Sequence, residues 1–353
     1  MNTQKKIEPK DGVIKIAVDM HLKSYRVVRQ IDHTAPQPAQ KFTPEAFHTW
    51  LRNQFDLAER VVVCYEAGCF GYEPARRMQA MGVEVLVIAP QNWDEQGKRQ
   101  VNDTSDAQVM CRRLSEYLNG HKRALSVVRI PTREEEAKRA EARLREQLRK
   151  QIRRMQAMGR SLLLSQGLPM RGHWWIGRQW LRIQKETPAW VQTQLTVWKE
   201  LIQTADKQAR RLEAQLRAAA GPGLLFGEGQ LSHELVRREL IDAHRFRNGR
   251  QVGNYFGLCP SESTTSDRRR LGSITKHGNP RLRQVMIEMA WRVAILQPKY
   301  RAVQKFLPVL EDKKASSGSR KKAIVAVARR LAVDLWRIAT GRVRPEELGL
   351  RLA

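Results

Sequence analysis

The sequence has few acidic residues for its number of basic ones. Asp and Glu total 36 against 64 Lys and Arg, which gives 353 residues a formal net charge of +28. Ordinary metabolic enzymes do not need such an excess, whereas a protein that binds DNA or RNA gains affinity by releasing condensed counterions. A merely soluble basic surface, or an anionic membrane partner, is the alternative explanation of the charge.

The sequence also lacks the signatures of membrane, secreted and zinc-binding proteins. No apolar run reaches membrane-spanning length, and the first twelve residues contain no apolar signal-peptide segment, so we expect a soluble, cytoplasmic protein without a membrane partner. Its cysteines form no CxxC pair, and no two histidines have zinc-ligand spacing, so we expect no structural zinc site. The four cysteines are Cys64, Cys69, Cys111 and Cys259. As scattered, unpaired thiols they fit the reducing conditions of the cytoplasm.

The first third of the chain alternates β-branched runs with helical patterns. Because the order is two strands followed by alternating helices and strands, we expect a mixed sheet flanked by helices, in an α/β domain. The predicted strands are 13–20, 25–32, 60–67 and 83–90, and the predicted helices are 44–57, with Thr43 as N-cap, and 72–81.

The middle of the chain is helical and highly charged. A first helix is predicted over 134–158, and a second carries apolar residues at alternating spacings of four and three, typical of a coiled coil. This heptad seam consists of Val191, Leu195, Trp198, Ile202, Ala205, Ala209, Leu212 and Leu216. Between the helices lies RGHWWIGRQWLRIQKETPAW, whose tryptophans could pack in a core or stack on bases.

A break at AAAGPG (218–223) starts the last part of the chain, which we expect to be mostly helical. It contains a loop at 257–280, a helix at 281–296 and a disordered-looking basic tract at 312–322 before the final helix. The predicted organisation is a flexible N-terminus (1–12), a sheet domain (13–128), a helical region (129–217) and a C-terminal domain (218–353).

Four carboxylates are the strongest candidates for catalysis. Asp19 and Glu66 each lie at the end of a predicted buried strand, where side chains meet at one edge of a sheet. Asp103 and Asp106 are three residues apart, which places both on one face of a helix. Such a cluster suits hard divalent cations that assist phosphodiester chemistry. The alternative is that Asp103 is an N-cap and Asp19 an ordinary strand-end acid.

Groups next to these acids could assist them. His21 and Tyr65 adjoin the acids and could support them, although packing is the simpler role. Four cations near the second pair, Lys98, Arg99, Arg112 and Arg113, could position the phosphate backbone.

A second candidate site lies in the loop at 257–280. Four hydroxyl residues, Ser263, Thr264, Thr265 and Ser266, precede a run of basic residues. A hydroxyl among guanidinium groups is where a phosphoryl-transfer nucleophile would lie. An ST-turn whose basic neighbours bind the backbone nonspecifically is the alternative. The candidate nucleic-acid-binding residues are Arg268, Arg269, Arg270, Lys276, His277, Arg281 and Arg283.

Several of these stretches resemble one known family. The segment from RFRNGRQVGNYFGLCPSESTTSDRRR to LRQVMIEMAW is similar to the second transposase domain of the insertion-sequence one-ten family, including its thirteen-eleven subgroup. IAVDMH, CYEAG and NDTSDAQ resemble the family's RuvC-like (RNase H-like) DEDD domain. The resemblance covers about residues 13–340.

The resemblance implies a bacterial recombinase that cuts and rejoins donor and target DNA. A noncoding bridge RNA would guide it, and the protein would act as a tetramer, a dimer of dimers, with composite sites. Asp19, Glu66, Asp103 and Asp106 would hold Mg2+ or Mn2+, and a serine would join covalently to DNA. The family usually has Ser-Gly where this chain has Thr265-Ser266, so we favour Ser266, with Thr265 as the alternative and Ser263 third.

In this interpretation the heptad seam pairs two protomers or clamps RNA, unless it forms an intramolecular hairpin. The Trp/Arg-rich segment becomes a candidate RNA contact. Two other functions are weighed against the recombinase: a RuvC-like metal-dependent nuclease that uses water as nucleophile, and a nonenzymatic nucleic-acid-binding protein. The complete acid set opposes the binding protein, and the hydroxyl-rich loop opposes the nuclease.

Overall fold

The computed structural model describes residues 11–91, 93, 103–265 and 268–353; for residues 11, 103–105, 264, 265, 268 and 269 it describes the backbone alone. The chain divides into two compact units, Met1–Thr132 and Arg133–Ala353. The second unit contains both the helical region and the C-terminal domain that the sequence separates at residue 218.

The first unit contains a six-stranded mixed sheet in the order β3-β2-β1-β4-β5-β6. Strand β1 is antiparallel to β2 and parallel to β4, which is in turn parallel to β5, while β6 runs antiparallel to β5. The four predicted strands and the mixed sheet are confirmed, and β3 and β6 are additional. The strands are Asp11–Met20 (β1), Tyr25–Ile31 (β2), Gln40–Phe42 (β3), Ala58–Glu66 (β4), Glu84–Ile88 (β5) and Val127–Val128 (β6).

Helices cover both faces of this sheet. Helix α1 (Pro44–Arg52) begins at the expected cap, because the Thr43 hydroxyl accepts a 3.2 Å hydrogen bond from the amide of Ala46. It packs with α2 (Glu73–Gln79) on the face that contains Val18 and Val63. Helix α3 (Asp103–Leu118) packs on the opposite face, which contains Ala17 and Cys64.

The second unit is built mainly of helices. Among the helices that the structure describes, none is long and apolar enough to span a membrane. The elements are α4 (Arg133–Ser165), α5 (Gly177–Glu186), α6 (Ala189–Ala218), α7 (Gln230–Leu240), α8 (Gly249–Tyr255), β7 (Pro260–Thr265), β8 (Arg268–Ile274), α9 (Pro280–Leu296), α10 (Arg301–Glu311) and α11 (Ser317–Ala339).

The heptad seam on α6 packs against α4 of the same chain. Val191, Leu195 and Ile202 are buried in one cluster with Ile152 of α4. Arg149 of α4 strengthens the pair with two ion pairs to α6 carboxylates, at 3.0 Å and 2.6 Å. The intramolecular hairpin is therefore the arrangement that the seam supports in this chain.

Three of the four tryptophans of the Trp/Arg-rich segment serve as core, whereas Trp190 is exposed. Trp174 is fully buried, and its indole N–H donates a 3.0 Å hydrogen bond to the carbonyl of Gln156. The ring lies so close to Gly159 that a Cβ at this position would be 2.1 Å from it. Trp175 and Trp180 are also buried, so packing, not base stacking, explains these three side chains.

Two expectations for the C-terminal domain were wrong. Most of the predicted loop at 257–280 is a β-hairpin, in which β7 and β8 pair from Pro260↔Ile274 to Thr265↔Arg268. The disordered-looking tract at 312–322 consists of a short turn and the first residues of α11, which the Ser316 hydroxyl caps by accepting a 3.1 Å hydrogen bond from the amide of Ser319. Local hydrogen bonds order this tract although its composition is polar.

Candidate active site

Asp19 and Glu66 lie side by side at one end of the sheet. On the parallel strands β1 and β4 the pairing ends at Val18↔Tyr65, and each acid is the next residue along its strand. Because side chains alternate along a strand, Asp19 lies on the same face as Ala17, and Glu66 on the same face as Cys64. That is the face that α3 covers.

Asp19 is half-buried and has an imidazole partner. The Nε2 atom of His21 lies 3.2 Å from Oδ2 of Asp19, and since a carboxylate only accepts, the imidazole donates. The Asp19 side chain keeps 26% of its surface exposed, so it is both held in place and accessible. The expectation that His21 could support the acid fits this contact.

Glu66 is fixed by a residue that the sequence did not indicate. The indole N–H of Trp93 donates a 2.8 Å hydrogen bond to Oε2 of Glu66. Arg113 lies 5.4 Å from the centre of the Trp93 ring and also donates to Oε1 of Gln91 at 3.2 Å. Arg113 thus packs on Trp93, whose indole orients the Glu66 carboxylate. Lys98 and Arg99 lie outside the described residues.

Helix α3 runs towards the same end of the sheet. The ammonium of Lys15 donates to the Ser115 hydroxyl at 2.9 Å, which fixes the C-terminal half of α3 next to the start of β1. From Ser115 back to Asp106 the helix rises about 13 Å, and from Lys15 to Asp19 the strand advances about 13 Å. The first turn of α3 therefore lies near the level of Asp19.

Asp103 and Asp106 belong to that first turn. Asp103 precedes the buried Ala107 by one turn, and Asp106 precedes the buried Met110 by one turn, so both lie towards the sheet side of α3. The backbone thus brings all four acids to one end of the first unit. Within the described residues, no three His, Cys, Asp or Glu side chains are grouped closely enough to hold a metal ion. The side chain of Asp103 lies outside the described part of the chain.

The hydroxyl residues of the second candidate site lie on the β7–β8 hairpin. Thr265 pairs with Arg268, Thr264 with Arg269 and Ser263 with Arg270. Directly opposed residues of an antiparallel pair have Cβ atoms about 5 Å apart, so the backbone places hydroxyl positions next to guanidinium positions. Ser266, the favoured nucleophile, lies outside the described residues, between the two strands.

The candidate basic residues of β8 and of the segment after it differ in their partners. Arg270 on β8 is exposed, as are Lys276 and His277 after the strand. Arg281 instead forms a 2.5 Å ion pair with Glu146 of α4, and Arg283 donates to the carbonyl of Lys276 at 3.1 Å. Arg281 and Arg283 therefore hold the hairpin base and α4 together, whereas the exposed residues are accessible to a ligand.

A buried carboxylate anchors the base of the hairpin. Glu239 of α7 accepts hydrogen bonds from the Arg143 guanidinium, at 3.1 and 3.3 Å, and from the Asn279 side-chain amide at 2.9 Å. Asn279 also caps α9, because its side chain accepts from the amides of Arg281 and Leu282. Glu239 thus ties the start of α9, directly after the hairpin, to α4.

Close backbone packing completes the base of the hairpin. Gly278 has a φ of +136°, and a Cβ there would lie 2.5 Å from the carbonyl oxygen of Asn254. Gly257 has a φ of +64°, and a Cβ there would lie 2.4 Å from the guanidinium of Arg283. Only glycine fits both positions, so the strand ends are fixed against α8.

The chain is similar to transposases. Residues 227–305 match the family model described as Transposase IS116/IS110/IS902 family. A putative transposase y4rJ of Sinorhizobium fredii is 29% identical over 309 residues, 80% of this chain and 78% of that protein. A probable family 20 transposase of Pseudomonas aeruginosa is 28% identical over 256 residues, covering 68% of this chain and 73% of that protein.

A third relative comes from a named insertion sequence. The transposase for insertion sequence element IS1111A of Coxiella burnetii is 24% identical over 286 residues, which is 75% of this chain and 74% of that protein. The relatives thus cover both units and not the family-matched segment alone. This chain is thus similar to insertion-sequence transposases over most of its length, in agreement with the resemblance of its motifs to that family.

Proposed function

We propose that this protein is an insertion-sequence recombinase that cuts and rejoins donor and target DNA through a covalent hydroxyl–DNA intermediate. The observation that carries the catalytic part is the placement of Asp19 and Glu66 on neighbouring parallel strands, with the first turn of α3 directed to the same end. The similarity to transposases over most of the chain supplies the DNA substrate.

The fold of the first unit supports an RNase H-like, RuvC-like assignment. Strand β1 is central, β2 and β3 follow it as an antiparallel meander on one side, and β4 and β5 are parallel to it on the other. In such a sheet, acids at the ends of the central strands share one edge with a helix that packs across it. Asp19, Glu66, Asp103 and Asp106 form the DEDD set of this proposal.

The donor chemistry of these four residues fits a hard divalent cation. Carboxylate oxygens are the ligands that Mg2+ and Mn2+ prefer, and the set contains no sulfur or other soft donor. Asp19 and Glu66, with Asp103 and Asp106, would hold the metal, which supplies charge stabilisation to the reacting phosphate. His21 and Trp93 keep the Asp19 and Glu66 carboxylates in one orientation, which reduces the reorganisation needed for binding.

The nucleophile in this proposal is Ser266, with Thr265 as the alternative. Its oxygen forms a bond to the scissile phosphorus, the bond between phosphorus and a deoxyribose oxygen breaks, and the hydroxyl proton passes to that oxygen as it leaves. A hydroxyl of the second DNA end then attacks the same phosphorus, which joins the strands and restores the serine. The number of phosphodiester bonds is conserved, so no external energy source is needed.

The proposal extends to the guide and the assembly. A bridge RNA would pair with donor and target DNA, and a tetramer, a dimer of dimers, would combine the acids of one protomer with the hydroxyl of another. Support for this part comes from the sequence resemblance. The basic excess and the exposed Arg270, Lys276 and His277 supply the charge that both nucleic acids require.

A covalent-adduct assay tests the proposal. The protein is incubated with its RNA, Mg2+ and a labelled donor–target DNA pair, and protease-sensitive protein–DNA adducts are resolved on a denaturing gel. We expect an adduct that disappears in Ser266→Ala and in Asp19→Ala and persists in Ser261→Ala, a matched hairpin control. Loss in Thr265→Ala with retention in Ser266→Ala would reassign the nucleophile. Cleavage without any adduct would support a metal-dependent nuclease instead, and no cleavage with any divalent metal a binding protein.

A further inference from the structure

Hydrogen bonds between side chains and backbone groups hold the turn between α10 and α11 together. Asp312 is the C-cap of α10, and its carboxylate accepts a 2.8 Å hydrogen bond from the amide of Lys314. The Arg320 guanidinium reaches back from α11 to the carbonyl of Asp312 at 2.7 Å. Ser316 caps α11 through the amide of Ser319. These contacts give residues 312–320 one defined conformation, in which Arg320 has an internal role.

Four lysines, two on this turn and two near the start of α11, have no such role. Lys313, Lys314, Lys321 and Lys322 are all exposed, and none of them forms an ion pair with an acid in the described part of the chain. The next residues of α11, Ala323 and Ile324, are buried, so the helix presents its lysines on the solvent side. The contact of Arg320 with Asp312 brings the start of α11 back to the end of α10, so the two lysine pairs belong to one stretch of surface. Like charges near one another repel unless an anion binds between them.

The composition of the turn favours one kind of anion. Single-stranded nucleic acid is usually bound by aromatic side chains that stack on its bases, and residues 311–322 contain no aromatic residue. A cluster of lysines without aromatics suits the phosphate backbone of a duplex, which is contacted by charge alone. Among duplexes, DNA is the substrate that the relation to transposases indicates.

We propose that Lys313, Lys314, Lys321 and Lys322 form a docking surface for the phosphate backbone of duplex DNA, outside the hairpin and the residues that follow it. The surface would hold DNA that flanks the reacting strand and would contribute affinity without sequence preference. The identity of the duplex rests on the proposed function, whereas the electrostatic part rests on the four exposed charges.

The test measures how DNA binding by the full-length protein depends on salt. Binding of a fluorescein-labelled 30-base-pair duplex is followed by anisotropy from about 50 to 300 mM NaCl, because each phosphate contact contributes about 0.9 to the slope of log K against log salt. In a variant with all four lysines changed to Gln, we expect the slope to fall by about 3 to 4. The double variants Lys313→Gln/Lys314→Gln and Lys321→Gln/Lys322→Gln should each lower it by about half as much.

Two controls separate this surface from general charge. Changing the same four lysines to Arg keeps the charge and should keep the slope. Lys41→Gln with Arg52→Gln, two exposed cations of the first unit, removes the same charge as either double variant and should change the slope by less than half as much. Equal effects of these changes, or a slope unchanged in the quadruple variant, would overturn the proposal.

The same variants distinguish DNA from RNA and this surface from the catalytic proposal. A quadruple variant that loses affinity for single-stranded RNA but not for duplex DNA contradicts the inference. An unchanged DNA slope together with normal adduct formation overturns the surface alone. A slope that falls in the quadruple variant, when the wild-type protein itself forms no adduct, overturns the recombinase proposal and leaves the surface in place.

Discussion

The indole of Trp93 and the carboxylate of Glu66 are joined by a 2.8 Å hydrogen bond, although 27 positions separate them in the sequence. Trp93 is 6% exposed and lies after β5, next to the strand that ends in Glu66. One oxygen of the candidate metal-binding acid is thus occupied by a rigid donor, so the carboxylate has a single preferred orientation. Groups that orient a metal ligand in this way usually change affinity or activity when they are removed.

Trp93→Phe should weaken the reaction more than the fold. It removes the indole donor and keeps an aromatic ring, so we expect a 10- to 100-fold drop in adduct formation at low Mg2+, partly recovered at high Mg2+. Trp291→Phe, at a tryptophan with 40% exposure, is the matched control and should have no effect. A magnesium titration of the adduct rate measures both. Equal Mg2+ dependence in wild type and Trp93→Phe would mean that the bond does not orient a ligand.

Gly159→Ala should destabilise the second unit. An added methyl group would lie 2.1 Å from Trp174, and overpacking of this kind costs about 1 to 3 kcal/mol. Gly318→Ala is the matched change, because its Cβ would meet only the Ser316 hydroxyl at 3.6 Å. The expected result there is a gain of about 0.5 to 1 kcal/mol from helix propensity. Urea midpoints followed by circular dichroism compare the two, and a stabilised Gly159→Ala would contradict the packing described for Trp174.

Glu239→Ala should loosen the base of the hairpin. The substitution removes the acceptor of Arg143 and Asn279 from a buried position, and we expect it to cost about 2 kcal/mol of unfolding free energy. Glu347→Ala breaks a fully exposed pair with Arg344 and should leave the unfolding free energy nearly unchanged. Both values come from urea unfolding. Similar losses in the two variants would show that Glu239 does not act as an anchor.

His233 should make stability depend on pH. The hydrogen bond from its Nδ1 to the buried Glu228 raises the pKa of His233, against the opposing effect of burial. Because the folded pKa lies above the unfolded value, the stabilisation is fully present below about pH 6.5 and is lost as the pH rises through the folded pKa. Wild type should therefore exceed His233→Gln by about 1 kcal/mol more at pH 5.5 than at pH 8.5.

Unfolding free energies at these two pH values measure this difference. The control is the same substitution made in a Glu228→Gln background, where the partner charge is absent and the pH-dependent difference should vanish. A difference that persists in that background would assign the effect to other charges around His233.

The elements that the sequence predicted are those whose buried residues leave a pattern in the sequence. Strands β1 and β4 are nearly continuous runs of buried residues. Helix α6 has apolar residues at heptad spacing, most of which pack on α4. The β7–β8 hairpin has no such signal. Ser263 and Leu271 are both exposed, so neither strand shows the alternation that indicates a half-buried sheet.

The sequence predicts the parts of the candidate site whose residues are brought together by neighbouring strands or by one helical turn. Asp19 and Glu66 end neighbouring parallel strands, and Asp103 and Asp106 share a helical turn, so their approximate placement follows from local patterns. The Trp93 donor could not be found in this way, because a single tryptophan in a loop has no spacing to its partner. The ion pair of Arg281 with Glu146 joins residues 135 positions apart and was missed for the same reason.

The base of the β7–β8 hairpin determines where its hydroxyl positions lie. Glu239, Asn279 and the close-packed Gly257 and Gly278 fix the ends of both strands to α4 and α8. Because the strand pairing continues from Pro260↔Ile274 to Thr265↔Arg268, a shift at the base would be carried along the ribbon. A substitution at the base can therefore displace the proposed reacting group without contacting it.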